Sequence, residues 1–243
     1  MRFVVIFAVI QTASAFVQLK PSASLGPNLA AFPRLVAAAD DKAAARINQA
    51  LDRRDQQLRS ALKECRANVE APAKAEYTRT IAVTMQGPRF VSFVATDYSD
   101  CGGAHPNTDS LVLVYDLQTG SPVNWAALLP ASLIQGTSLD TAGDGTQIGV
   151  VSSRTLQNLY LQARKSDKKD PLDPDCTGVL SDPDLKLSLW PDAKAGGIAV
   201  APSGLPHVVA ACGDSATIPT ATLRQLGVKA VILDAIDAAH AQR

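Results

Sequence analysis

The chain has 243 residues, 47% of them apolar, enough for one ordinary domain or two small ones with a sizeable core. Its 23 Lys plus Arg balance 23 Asp plus Glu, which excludes a basic field for nucleic acid or a polybasic membrane patch. Three His and four Cys, with no CxxC pair among them, exclude a local Cys-rich or His-rich metal cluster.

Met1 and Arg2 form a short positive segment, Val4 to Ile10 an apolar run, and Ala13-Ser14-Ala15 offers small residues where a signal peptidase reads. We expect residues 1–15 to be a signal peptide cleaved after Ala15, and the mature protein to be periplasmic or secreted. The apolar run is about half of the roughly 20 residues that a spanning helix needs, so a membrane-spanning protein is not expected. Residues 16–30, rich in Ser, Pro, Ala and Gly without periodicity, are expected to be a flexible leader. Residues 31–243 are then expected to form a single α+β domain with C-terminal helical segments.

From Asp41 to Arg66, Ile47, Leu51, Leu58, Leu62 and Cys65 share one helical face while Arg46, Asp52, Arg53, Arg59 and Lys63 look outward. The pattern predicts a long amphipathic helix capped by Asp40 or Asp41. Tyr77 to Met85, Arg89 to Thr96 and Ser110 to Leu117 follow as strands, rich in β-branched and aromatic residues, with no helix between them, hence antiparallel. In the third, Leu111, Leu113, Tyr115 and Leu117 alternate with Val112 and Val114, so both faces look dry and a central strand covered by the long helix is expected. Ser121 to Leu133 reads as a short strand and a broken helical stretch, and Gly136 to Thr146 as a loop.

Ser152 or Ser153 caps a second helix with the stripe Leu156, Leu159, Tyr160 and Ala163. Residues 165–184, charged and Pro-rich, are expected to be a surface loop. Leu185, Leu187 and Leu189 then mark a strand, and 197–201 and 207–212 are expected to pair across Pro202-Ser203-Gly204. Two short helical segments close the chain, the first stopped by Gly227. Strands in groups with helices set apart give an α+β fold, an antiparallel sheet packed against a long helix with further strands and a second helix.

An exported chain oxidises its thiols. Cys65, Cys101, Cys176 and Cys212 permit three pairings. The sequential one, Cys65 with Cys101 and Cys176 with Cys212, closes loops of 36 residues each and is favoured. Free buried thiols acting as small hydrophobes are the alternative.

For chemistry, Gly213-Asp214-Ser215 has the letters of a protease nucleophile segment, but Ala216 and Thr217 stand where that motif has glycines. No G-x-S-x-G elbow is present. The stretch from Asp97 to Asn107 carries the densest set of functional groups. Its paired glycines and Pro106 suggest a rigid, shaped loop, with Tyr98, Gly102, Gly103, His105, Pro106 and Asn107 as candidate ligand-binding residues. Closure of a wide hairpin is the structural alternative. Asp97, Asp100 and His105 could share acid and base roles in an envelope-polymer hydrolase if they converge. No cofactor or metal is expected.

Gly102-Gly103-Ala104-His105-Pro106-Asn107, followed by Val114-Tyr115-Asp116-Leu117-Gln118-Thr119-Gly120, resembles the extracytoplasmic domain of RsiV-type anti-sigma factors. The same domain occurs as the non-catalytic module of PdaC-type peptidoglycan deacetylases. Phe32-Pro33, Ile47-Asn48 and Val208 to Pro219 extend the likeness over residues 31–226. The resemblance implies an α+β domain of largely unknown function whose best understood member binds lysozyme at the cell surface. It implies a non-catalytic envelope binding module, its partner a lysozyme-like protein, another envelope protein or cell-wall glycan. The likeness reaches the module alone, so neither sigma-factor regulation nor sugar deacetylation is carried over. Asn124-Trp125-Ala126-Ala127-Leu128-Leu129 and the four cysteines depart from many relatives.

Overall fold

The chain enters through β1 (Gln18–Lys20), which pairs antiparallel with β2 (Arg34–Val36). The computed structural model describes residues 16–70, 74–103, 105–141, 145–168 and 170–243. The expected signal segment with its Ala13-Ser14-Ala15 site, and Ala104, lie outside the described residues. The flexible leader expected at 16–30 is corrected. Leu29 is buried and bridges Arg79, and Gln86 Nε2 donates to Val17 O at 2.8 Å, so this stretch is tied down by contacts that its composition conceals.

α1 (Lys42–Asn68) starts at Asp41, whose carboxylate accepts the Ala44 N–H at 2.9 Å and so satisfies one of the helix's first open donors. Its buried face carries Ile47, Leu51, Leu58 and Cys65, and also Asp55. β3 (Glu76–Gln86), β4 (Phe90–Asp100) and β5 (Asn107–Asp116) form an antiparallel sheet in that order. Odd-numbered residues of β4 and β5, among them Val91, Phe93, Ala95, Leu111 and Leu113, pack on α1, while Phe90, Val112 and Val114 face the other way. A bulge between Val83 and Met85 shifts the phase of β3, so that Ile81 and Val83 join the α1 side and Met85 joins the other core. β5 is an edge strand of this sheet, not the central one expected.

Beyond β5, Gly120 has φ 70 and a Cβ there would meet the Ala43 carbonyl oxygen at 2.4 Å, so the turn lies directly against the start of α1. Two 3-10 turns, Trp125–Ala127 and Ala131–Leu133, lead to a hairpin of β6 (Gly136–Thr141) and β7 (Gln147–Ser152). This corrects the loop expected at 136–146: β6 is an exposed edge strand, so its polar letters report exposure, not the lack of a strand.

α2 (Arg154–Ser166) is capped by Ser153, and α3 (Cys176–Leu180) lies inside the segment expected to be loop. β8 (Lys186–Asp192), β9 (Gly197–Ser203) and β10 (Ala216–Pro219) complete a five-stranded antiparallel sheet of order β10-β9-β8-β7-β6. The strand expected at 207–212 is a 3-10 helix, His207–Cys212, because Gly204 at φ 70 and Pro206 end the extended run; β9 pairs with β10 instead. α4 (Thr220–Gln225) and α5 (Ala230–His240) end the chain.

The layers run α1, three-stranded sheet, five-stranded sheet, then α2 and α5. Trp190 and Val150 turn toward the first sheet, whereas Leu187, Leu189 and Val200 share the far side with Leu156, Ile232 and Ile236. The fold is α+β, as the grouping of strands and helices predicts. Among the described residues no helix is long and apolar enough to cross a membrane.

Candidate functional site

Where β5 runs past the last residues of β9, the two sheets part and leave a cleft of about 600 Å³. Its floor is Val94, Val112 and Trp190, and its walls carry hydroxyls from Thr96, Thr108, Ser188, Ser203 and Ser215. Asp109, Asp214 and Arg54 reach it from three different elements or loops. An apolar base under convergent polar groups is the usual form of a binding site.

The far wall, Gly213 to Ser215, is held from behind. Tyr160 Oη donates to the Asp214 carbonyl at 2.9 Å, and Arg164, its side chain only 6% exposed, meets the Asp214 carboxylate at 3.1 Å and Asp170 at 3.0 Å. The disulfide Cys176–Cys212 fixes the residue just before this wall to α3. Burial pushes the Tyr160 phenol up to about 12, with the Asp214 carboxylate adding to that rise and Arg164 opposing it. A raised phenol stabilises the fold below its unfolded pKa near 10, and that contribution fades as pH climbs from about 10 to 12. Urea midpoints are therefore expected to fall above pH 10, and less so in Tyr160→Phe. Equal slopes for the two proteins would contradict the assignment.

On the near side, Asp97 accepts two bonds from Arg79, both at 2.5 Å, and Arg79 stacks over Phe32 at 5.7 Å. Asp55, from α1, lies 4.0 Å from Arg79 Nη1 and accepts the Phe32 N–H at 3.2 Å and a bond from Arg34 at 2.7 Å. Asp97, which also lines the cleft, is held in this buried ion network. Asp100, three residues along the same regular strand, lies on the opposite face and accepts the Gly102 N–H at 3.2 Å. The acid and base pairing of Asp97 with Asp100 is thus not formed, and His105 stands exposed at the hairpin tip.

The loop expected between Tyr98 and Asn107 is shorter than the sequence suggests, because Tyr98 pairs with Thr108 and Ser99 with Asn107 inside the ladder. Tyr98 lies on the face that carries Val94 and Thr96, whereas Gly102, Gly103, His105 and Pro106 form the tip beyond it. Gly102 has φ 77 and packs on Val69, and the disulfide Cys65–Cys101 joins this tip to the end of α1. Sequence reasoning missed the cleft walls at Ser203 to Leu205 and Gly213 to Ser215. The one available signal was the run of polar residues Asn107 to Ser110 opening an otherwise dry strand. Among the described residues no group of three or more His, Cys, Asp or Glu is placed to hold a metal ion.

No protein-family model matches the sequence, and no curated protein matches it. Among solved structures the chain is similar to the crystal structure of a member of the DUF3298 family from Bacteroides fragilis. The TM-score is 0.53 at 12% identity, covering 91% of this chain and 95% of that one, a likeness of fold.

Proposed function

We propose that this chain is an exported, non-catalytic binding module of the bacterial envelope, and that the cleft between its two sheets is the binding site. The observation that carries the reading is the cleft itself, an apolar floor ringed by hydroxyls and carboxylates. Two disulfides fit an oxidising compartment. The resemblance of the hairpin segment to RsiV-type and PdaC-type modules supports the envelope context, and the likeness to a DUF3298 protein supports the fold alone. Cleavage after Ala15 makes Phe16 the first mature residue, which intact mass and N-terminal sequencing of exported protein would read. The partner is a lysozyme-like protein, another envelope protein or a cell-wall glycan, and Tyr98 to Asn107 flanks its approach.

Calorimetry with lysozyme, N-acetylglucosamine oligomers, muropeptides and peptides selected on the mature protein tests the reading. Binding of one such probe is expected to be lost in Ser215→Trp, which fills the mouth from an exposed position, while the melting temperature moves by less than about 2 °C. Binding that survives Ser215→Trp, or a complete failure of every probe, overturns it. His105→Ala reports separately on the hairpin tip: a weakened complex places the tip at the interface, and an unchanged one removes it.

A further inference from the structure

The cleft is bordered by an unfinished sheet. Five consecutive residues of β5, Thr108 to Val112, line it, whereas a strand's face would contribute only every second one. The cavity therefore runs along the strand's edge. Among the described residues β5 is hydrogen-bonded as a strand to β4 alone, with one isolated bridge from Tyr115 to Pro122. Leu117 N–H donates to Arg89 O at 2.9 Å, which sets the phase: odd-numbered residues of β5 bond β4, and even-numbered ones turn their N–H and C=O outward.

Near the end of β5 the chain itself covers this edge. Val123 N–H donates to Val114 O at 2.9 Å, and Asp116 N–H donates to Ser121 O at 3.0 Å. Among the described residues this main-chain cover stops before Val112. From there to the tip, the peptide groups of Val112, Ser110 and Thr108 face the cleft, with the Ser110 N–H meeting its neighbour's carboxylate, Asp109 Oδ1, at 2.9 Å. Val112 is only 7% exposed, and polar groups on so buried a residue call for a partner.

We propose that the cleft takes an extended segment of a partner protein, which adds to β5 as a fourth strand. The inference rests on the reading of the cleft as the binding site and names its ligand class. Outward groups recurring about every 6.8 Å along β5 match the repeat of another strand. Alternate side chains of the incoming segment enter the space before Trp190 and Leu205, and the exposed carboxylate of Asp109 at the rim favours a Lys or Arg there.

The test uses the mature full chain and a displayed library of random octapeptides. Enriched peptides are synthesised and measured by calorimetry. Methylating one backbone nitrogen at a time is expected to weaken binding at least tenfold at alternate positions and little between them. Ser110→Pro removes one outward donor while sparing every bond to β4, and is expected to weaken binding at least tenfold with little change in melting. No enriched peptide, a methylation scan without alternation, or full affinity in Ser110→Pro overturns the proposal. If N-acetylglucosamine oligomers or muropeptides bind while no peptide does, this inference fails and the cleft reading stands; if nothing binds, both fail.

Discussion

Replacing Arg79 with Met is expected to cost about 3–5 kcal/mol of stability, the usual penalty for breaking a buried ion pair from one side. The guanidinium is 2% exposed and holds Asp97 through two bonds, with Asp55 nearby and the Phe32 ring against its plane. Removing it leaves the Asp97 carboxylate, 17% exposed, without its cation inside the sheet. At roughly 2–4 °C per kcal/mol for a chain of this size, melting should drop by about 10 °C. The double variant Arg79→Met/Asp97→Leu removes both charges and should recover much of that loss. A single variant that melts within about 2 °C of the parent would show that the network adds nothing to the fold.

Loss of the Cys176–Cys212 disulfide is expected to have a comparable effect. Closing 36 residues constrains the unfolded chain by about 4 kcal/mol on the entropy model, so Cys176→Ala/Cys212→Ala should unfold at clearly lower urea concentration. The same loop length at Cys65–Cys101 predicts a similar loss for Cys65→Ala/Cys101→Ala. The two differ at the cleft. Cys212 precedes the wall at Gly213 to Ser215, so its removal should weaken ligand binding as well as stability, whereas the other pair braces the hairpin tip. Thiol titration of the denatured, unreduced native protein should find no free thiols; a loss below about 1 kcal/mol in either double variant would contradict the loop-closure account.

The legible parts of the sequence were those where one physical demand dominates. The apolar face of α1 could be read because Ile47 and Leu51 join the core under the first sheet and Leu58 and Cys65 are buried along the same face. β3, β4 and β5 could be read from their β-branched runs, although the ladder extends past Tyr98 into what looked like loop. The edge position of β5 is hidden in the sequence for a physical reason. Both of its faces are dry because α1 covers one and the five-stranded sheet the other, and dryness of faces says nothing about neighbours at the edges. β6 was invisible because an exposed edge strand is written in loop letters, and His207–Cys212 looked extended because its apolar residues carry no period long enough to separate strand from helix. The cleft was beyond reach of local reading altogether: Thr108, Trp190 and Ser215 meet only once the two sheets stack. Gly213-Asp214-Ser215 carries the letters of a motif it does not complete, while its place in the fold is a cleft wall.

Both covalent crosslinks stay within one half of the molecule, Cys65–Cys101 joining α1 to the first sheet and Cys176–Cys212 joining α3 to the turn before β10. At the closed end the halves share a main-chain bond, Ala193 N–H to Thr84 O at 3.0 Å, beyond the β8 end farthest from Ser203. Neither sulfur bridge crosses the aperture between Thr108 and Ser203. Such a jaw can widen about its fulcrum to admit occupants of different girth without straining either sulfur bridge, and reducing agents should slacken each half before they alter the gape.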